Sequence, residues 1–302
     1  VKKILLVFGV FNQQLESTPL HSSEVCRNKI YPRFRRAKPM SQLPLLIAQL
    51  TDTHLFADSD RTMKGCPTAA SLQAVLSHLK QQTPPPDLLL LTGDLSQDET
   101  RASYESLRDR ITPLGLPAYW IPGNHDQSLS DMKAVLDTDL ISPDKVFQKG
   151  GWNFVLLNTM QLQQSGGALS PEALQWLDEQ LQQAPNTPAL IALHHAPMPV
   201  GLAFMDAIAL ENPEALFAVI DRHPQVKLVI FGHIHQEFDQ ERNGVCYLGT
   251  PSTCIQLMPN QPEVRISNDY PGYRLLHLFP DGSYTTQVKR VPFYFTQSSG
   301  DW

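Results

Sequence analysis

Five short apolar runs, each stopped by side chains that can bind a metal, set the tightest constraint on this chain. Residues 45–50 lead to Asp52 and His54, residues 88–91 to Gly93-Asp94, and residues 118–121 to Pro122-Gly123-Asn124-His125. Residues 190–193 lead to His194-His195, and residues 226–231 to Gly232-His233 and His235. Runs this short and this apolar predict buried strands. Amphipathic segments separate them. Leu72, Val75, Leu76 and Leu79 recur at helical spacing until Pro84-Pro85-Pro86 ends the pattern. Residues 98–110 predict a polar helix. Ser170 caps a helix that has Pro171 at its first position and a stripe of Leu174, Leu177 and Leu181. Leu216, Val219 and Ile220 mark a further helix. Residues 152–157, 244–249, 273–279 and 284–291 read as additional β segments. The alternation predicts mixed or parallel sheets covered by helices.

In such sheets ligands bind beyond the carboxyl ends of the strands, where the loops converge. Six of the ten histidines fall in these strand ends, which predicts one polynuclear site. Carboxylate, imidazole and one amide oxygen, without thiolate, suit manganese, iron or zinc. Asp52 and His54 lie two apart, as do His233 and His235. At a strand exit that spacing puts both side chains on one face. Gly93, Gly123 and Gly232 each precede an expected ligand by one residue and allow close backbone approach. The four cysteines form no CxxC pair, so a thiolate zinc knuckle is not expected.

With 302 residues, 42% of them hydrophobic, the chain can bury a full core, and a single domain is expected over residues 40–302. A net charge of −6 argues against a general nucleic-acid binder, yet permits a locally positive site. No apolar run reaches 18 residues, so no membrane-spanning helix is expected, and the expected location is cytoplasmic. Residues 1–39 open with Lys2, Lys3 and an apolar stretch over 4–11, superficially like a secretory signal, but no small-residue cleavage site follows cleanly. They are expected to be an upstream extension or a disordered segment, with Met40 as the ordinary start.

The ordered set Asp52-x-His54, Gly93-Asp94, Gly123-Asn124-His125-Asp126, His194-His195 and Gly232-His233-Ile234-His235 resembles the calcineurin-like metallophosphoesterase signature. The flanks Thr51-Asp52-Thr53-His54-Leu55-Phe56, Gly232-His233-Ile234-His235-Gln236 and Thr250-Pro251-Ser252-Thr253-Cys254 resemble the bacterial class III 3′,5′-cyclic AMP phosphodiesterases. The likeness covers about residues 45 to 290. It implies an α/β fold of mixed sheets arranged as a four-layer αββα sandwich. It implies a metal-dependent phosphodiesterase that hydrolyses 3′,5′-cyclic AMP to 5′-AMP, with two divalent ions (iron, manganese or zinc) as cofactors. Asp52, His54, Asp94 and His235 would hold the first ion, and Asp94, Asn124, His194 and His233 the second, with Asp94 bridging. His54, Asp94, Asn124 and His125 would face the substrate.

A hydroxide shared by the two ions would attack phosphorus, and a residual local charge of about +1 would attract the phosphate. His125 would give a proton to the departing alkoxide, and Asp126 would orient His125 or raise its pKa. His195 is expected behind the ligands rather than among them. Residues 250–254, with Tyr273 or Arg274, are expected near the substrate pocket. The expected partner is a small anionic nucleotide, cyclic AMP, with no nucleic acid and no membrane; the oligomeric state stays open. The alternative is a metallophosphoesterase acting on a different phosphodiester or a phosphomonoester.

Overall fold

Two six-stranded sheets carry the chain. They are seen in a computed structural model that describes residues 43–298, so the expected extension over 1–39 lies outside the described residues. The first sheet has the spatial order Tyr284–Arg290, Gly272–Leu278, Leu45–Leu50, Leu88–Thr92, Ala118–Ile121, Ile141–Ser142. The second has the order Phe238–Arg242, Val245–Gly249, Val226–Phe231, Ala189–Ala192, Trp152–Leu156, Val146–Lys149. In the first sheet the four strands from Leu45–Leu50 to Ile141–Ser142 run parallel. In the second, the four from Val245–Gly249 to Trp152–Leu156 do the same. Antiparallel strands close the remaining edges.

The central strands are apolar throughout because both of their faces are covered. Leu45, Ile47, Leu88 and Leu90 of the first sheet meet Phe154, Leu190, Leu228 and Ile230 of the second in a core between the sheets. The alternate residues Leu46, Ala48, Leu89 and Leu91 pack outward with the helices Thr68–Lys80, Arg101–Ile111 and Leu129–Leu136. Val155, Ile191 and Val229 pack outward with Pro171–Gln182 and Pro213–Ile220. The result is the αββα sandwich that the resemblance implies.

The polar helix starts at Arg101 rather than at 98. Thr100 caps it by accepting the Ser103 N–H at 3.2 Å, and Asp98 accepts the Thr100 hydroxyl at 2.8 Å, holding the preceding turn. The expectations omit the helices Leu129–Leu136 and Ala203–Ala207, the strand Phe238–Arg242, and the small hairpin of Thr62–Met63 with Cys66–Pro67. Among the described residues, no helix is long and apolar enough to cross a membrane. The parallel strands of both sheets deliver their carboxyl ends to one rim, and the polar residues singled out above sit there.

Candidate metal centre

Asp52 and His54 follow Leu45–Leu50 but lie beyond the strand, at φ 54° and 45°. Asp94, His233 and His235 also adopt left-handed backbone, at φ 50°, 70° and 49°. Strand alternation therefore does not account for the two-residue spacing. Left-handed residues curl each loop so that its side chains face the rim. That conformation costs a non-glycine residue of order 1 kcal/mol, and such residues cluster at functional sites. At Gly93 (φ 93°) a Cβ would strike the His194 ring, and at Gly123 it would strike the Asp94 carboxylate and His194. Both glycines provide the close approach expected of them.

All seven expected ligands come together, although they derive from five separate loops. The Nε2 atoms of His54 and His235 are 3.0 Å apart. Asp94 Oδ2 lies 3.3 Å from His194 Nε2 and 3.8 Å from His54 Nε2, between the two halves of the cluster. His235 Nε2 is 3.4 Å from Asp52 Oδ1. Asn124, His125 and His233 line the same cavity as His54, Asp94 and His235.

The second nitrogen of each imidazole fixes its tautomer. His54 Nδ1 donates to Gln97 Oε1 at 2.7 Å, His194 Nδ1 to the Thr92 carbonyl at 2.8 Å, and His235 Nδ1 to the Ile255 carbonyl at 3.0 Å. His233 Nε2 donates to the Ile208 carbonyl at 3.1 Å. The other nitrogens of His54, His194 and His235 turn to the carboxylates of Asp52 and Asp94, and the Nε2 atoms of His54 and His235 also face each other. Two lone pairs 3.0 Å apart repel unless a cation or a proton lies between them. Asn124 Oδ1 and His194 Nε2 are buried without hydrogen-bond partners. Burial pushes His54 and His233 down to about 3, so both rings are neutral. Burial opposes the charge of Asp94 as well, but His194 and then His125 hold its carboxyl well below the usual range. In return Asp94 pushes His194 up to about 9 against burial, so a cation arriving at His194 Nε2 competes with a proton. Oriented imidazoles, ionised carboxylates and orphaned acceptors fit divalent cations.

Other expected residues fall differently. His195 is buried, with its Nδ1 2.8 Å from the Thr159 hydroxyl and its ring against His194 and His233. His125 is half-buried, lines the cavity, and meets His54 edge-on with centroids 5.0 Å apart. Asp126 does not orient that ring. Its carboxylate accepts the backbone N–H groups of Leu95, Ser96 and Gly123 at 3.1, 3.0 and 2.9 Å, stitching two loops together. Burial, then the like charge of Asp94, push Asp126 up to about 6.

Residues 250–254, Tyr273 and Arg274 are buried behind the centre rather than lining the pocket. Ser252 Oγ, for instance, donates to the Asp52 carbonyl at 2.7 Å. The cavity in front holds about 610 Å³, within the range of small-molecule sites, and its outer walls are the segments 56–64 and 204–208. Sequence reasoning missed those walls. Gln97 was missed too, although its place three residues after Asp94 was a usable signal.

Comparisons with known proteins agree with this geometry. The chain is 48% identical over 252 residues to a 3′,5′-cyclic-nucleotide phosphodiesterase of Nostoc sp., covering 83% of this chain and 94% of that one. It is 38% identical to the 3′,5′-cyclic adenosine monophosphate phosphodiesterase CpdA of Escherichia coli K12, covering 81% and 89%. Among solved structures, a purple acid phosphatase from yellow lupin superposes with a TM-score of 0.64 at 13% identity, covering 85% of this chain and 54% of that one. A dimetal phosphatase from Danio rerio superposes with a TM-score of 0.58 at 16% identity, covering 79% and 94%. These two likenesses show the fold. The calcineurin-like phosphoesterase family profile matches residues 45–237, which takes in every loop of the centre up to His235. With that match and those identities, the chain belongs to the calcineurin-like phosphoesterase family.

Proposed function

We propose that this protein is a metal-dependent hydrolase that opens 3′,5′-cyclic AMP to 5′-AMP. The observation that carries the reading is the set of imidazoles tied to protein oxygens through one nitrogen, three of which (His54, His194 and His235) turn the other nitrogen to Asp52 or Asp94. The cyclic-nucleotide phosphodiesterases among its relatives supply the substrate class. Asp52, His54, Asp94 and His235 would hold one divalent ion, and Asp94, Asn124, His194 and His233 a second, with Asp94 shared. Manganese, iron and zinc all suit this nitrogen and oxygen set. Two such ions, when bound, lower the pKa of water and neutralise charge on the phosphoryl oxygens.

The chain's own residues do the rest. Gln97 and the carbonyls of Thr92, Ile208 and Ile255 keep the rings in one tautomer, so no ring rotation is needed when substrate arrives. The His125 backbone N–H donates to Asp94 Oδ1 at 2.8 Å, which fixes His125 beside the shared carboxylate. From there its ring gives a proton to the departing 3′-oxygen. A water oxygen bonds to phosphorus as the P–O3′ bond breaks, and the product is a 5′-monophosphate with a free 3′-hydroxyl.

The test is incubation of manganese-loaded protein with cyclic AMP, following 5′-AMP by chromatography. Turnover is expected for the wild type and its loss for Asp94→Ala. Equal product from both proteins, or none from either, overturns the reading.

A further inference from the structure

The cavity before the metal centre has a polar floor, an apolar wall and, apart from that wall, the apolar side chains Phe56, Met63 and Leu257. His54, Asp94, Asn124, His125, His233 and His235 form the floor. The helix Ala203–Ala207 supplies the wall through Phe204 and Met205, with Ile208 just beyond. Met205 is buried in the core, whereas Phe204 is 46% exposed. Among the described residues, large exposed apolar side chains are few: Leu43, Leu162, Phe204 and Tyr294. Of these, Phe204 lines the cavity. An exposed ring at the mouth of a polar site is informative in a way that a buried one is not.

Its height above the floor is set. Val200 N–H donates to Asp206 Oδ1 at 2.7 Å, which pins the helix. Ile208, four residues after Phe204, offers the carbonyl that accepts His233 Nε2–H. The second aromatic of the cavity, Phe56, is not available in the same way. It is buried, and the Arg61 guanidinium lies over its ring at 4.3 Å.

We propose that Phe204 is the specificity residue that receives the nucleobase, its ring stacking on the base face. The inference rests on the phosphodiesterase reading above. In a 3′,5′-cyclic nucleotide the phosphate is fused to the ribose. A phosphate on the floor therefore holds the base rigidly away from it, toward the mouth. The flat, poorly hydrated face of a base seeks an aromatic surface there, and Phe204 offers one beside Met205 and Ile208. Stacking does not distinguish one purine from another, so this wall selects for the presence of a base rather than its identity.

The experiment compares calorimetric binding of 5′-AMP and ribose 5-phosphate to manganese-loaded protein, alongside KM for cyclic AMP. Phe204→Ala is expected to weaken 5′-AMP roughly tenfold, the lower part of the range for one base on one ring, and to raise KM similarly. Ribose 5-phosphate has no base, and its affinity is expected to change less than about twofold. Phe204→Leu keeps the bulk without the ring and is expected to behave like Phe204→Ala, while Phe204→Trp restores 5′-AMP binding. Equal weakening of both ligands, or of neither, overturns the stacking role. So does a concentration-dependent dimer that Phe204→Ala dissolves with 5′-AMP affinity unchanged. If the wild type binds 5′-AMP through Phe204 yet leaves cyclic AMP intact, the reaction reading falls and the stacking role stands. If it binds no 5′-AMP, both fall.

Discussion

Asp126 and His125 are adjacent in sequence and do different work. Asp126 satisfies three buried backbone donors from the loops after Leu88–Thr92 and Ala118–Ile121. Removing it leaves those N–H groups without partners, and each unsatisfied donor costs about 1–3 kcal/mol before relaxation. Asp126→Ala is therefore expected to destabilise the protein by about 2–4 kcal/mol in urea unfolding. His125→Ala is expected to change stability by less than about 0.5 kcal/mol while lowering kcat about 10²–10⁴-fold. If Asp126→Ala left stability unchanged and copied the kinetic loss of His125→Ala, Asp126 would be acting through the imidazole after all. The identity of the metal-facing residues was readable in the sequence because their chemistry belongs to residue type. Their geometry was not. Left-handed backbone at Asp52, His54, Asp94, His233 and His235 has no compositional sign, and the groups that fix the rings are mostly backbone carbonyls, which every residue carries. Asp126 was misread for the same reason: its partners are three amides, invisible in a string of side chains.

At the scale of elements, the long periodic pieces were legible and the short ones were not. Strands of four to six apolar residues and helices of eleven to thirteen announce themselves by pattern. The five-residue helix Ala203–Ala207 and the two-residue strands of the hairpin around Lys64 are too short to show a period, so the walls of the cavity went unseen. The passage from the first sheet to the second, between Ile141–Ser142 and Val146–Lys149, was also unseen. Lys145 anchors that passage: its Nζ donates to the Trp120 carbonyl at 2.6 Å and sits over the indole at 3.6 Å. Burial pushes this amine down from 10.5 to about 8, with Asp137 opposing and Lys133 adding to the shift. The unfolded chain therefore binds more protons than the folded one between about pH 8 and 10.5, so this group makes stability rise with pH across that window. Below pH 8 its penalty is constant. Urea unfolding at pH 7 and pH 10 is expected to show wild type gaining on Lys145→Met by of order 2 kcal/mol, the full linkage being reduced for partial exposure. A pH-independent difference between the two proteins would place the ammonium in water.

For the molecule as a whole, the question is what holds two sheets in register when the centre draws ligands from both. The core between the sheets is apolar and leaves sliding weakly opposed, since hydrophobic burial has no direction. Directional contacts stand immediately behind the rim. Gln49, in the first sheet, donates through Nε2 to Thr92 Oγ1 at 2.9 Å and across to the Phe231 carbonyl at 3.1 Å. Thr250, which follows the second sheet's Val245–Gly249, donates its hydroxyl to Gln49 Oε1 at 2.6 Å. Arg274, back in the first sheet, donates to Thr250 Oγ1 at 3.2 Å and to the Gly249 carbonyl at 2.7 Å. All of these side chains are buried, so the bonds act at low dielectric and each is costly to leave unmade. Asp52, His54 and Asp94 follow first-sheet strands, whereas His194, His233 and His235 follow second-sheet strands. A small slide between the sheets would therefore separate the two groups of ligands. Gln49→Leu keeps the volume and removes its two cross-sheet bonds, to the Phe231 carbonyl and the Thr250 hydroxyl, while those of Arg274 remain. It is expected to cost about 2–4 kcal/mol in unfolding free energy and to weaken metal affinity roughly 10–100-fold in chelator competition, although Gln49 touches none of the expected ligands. Loss of stability with metal affinity intact would show that the bonds of Gln49 do not set the register. In that case they would be only the means of satisfying a glutamine that the strand buries.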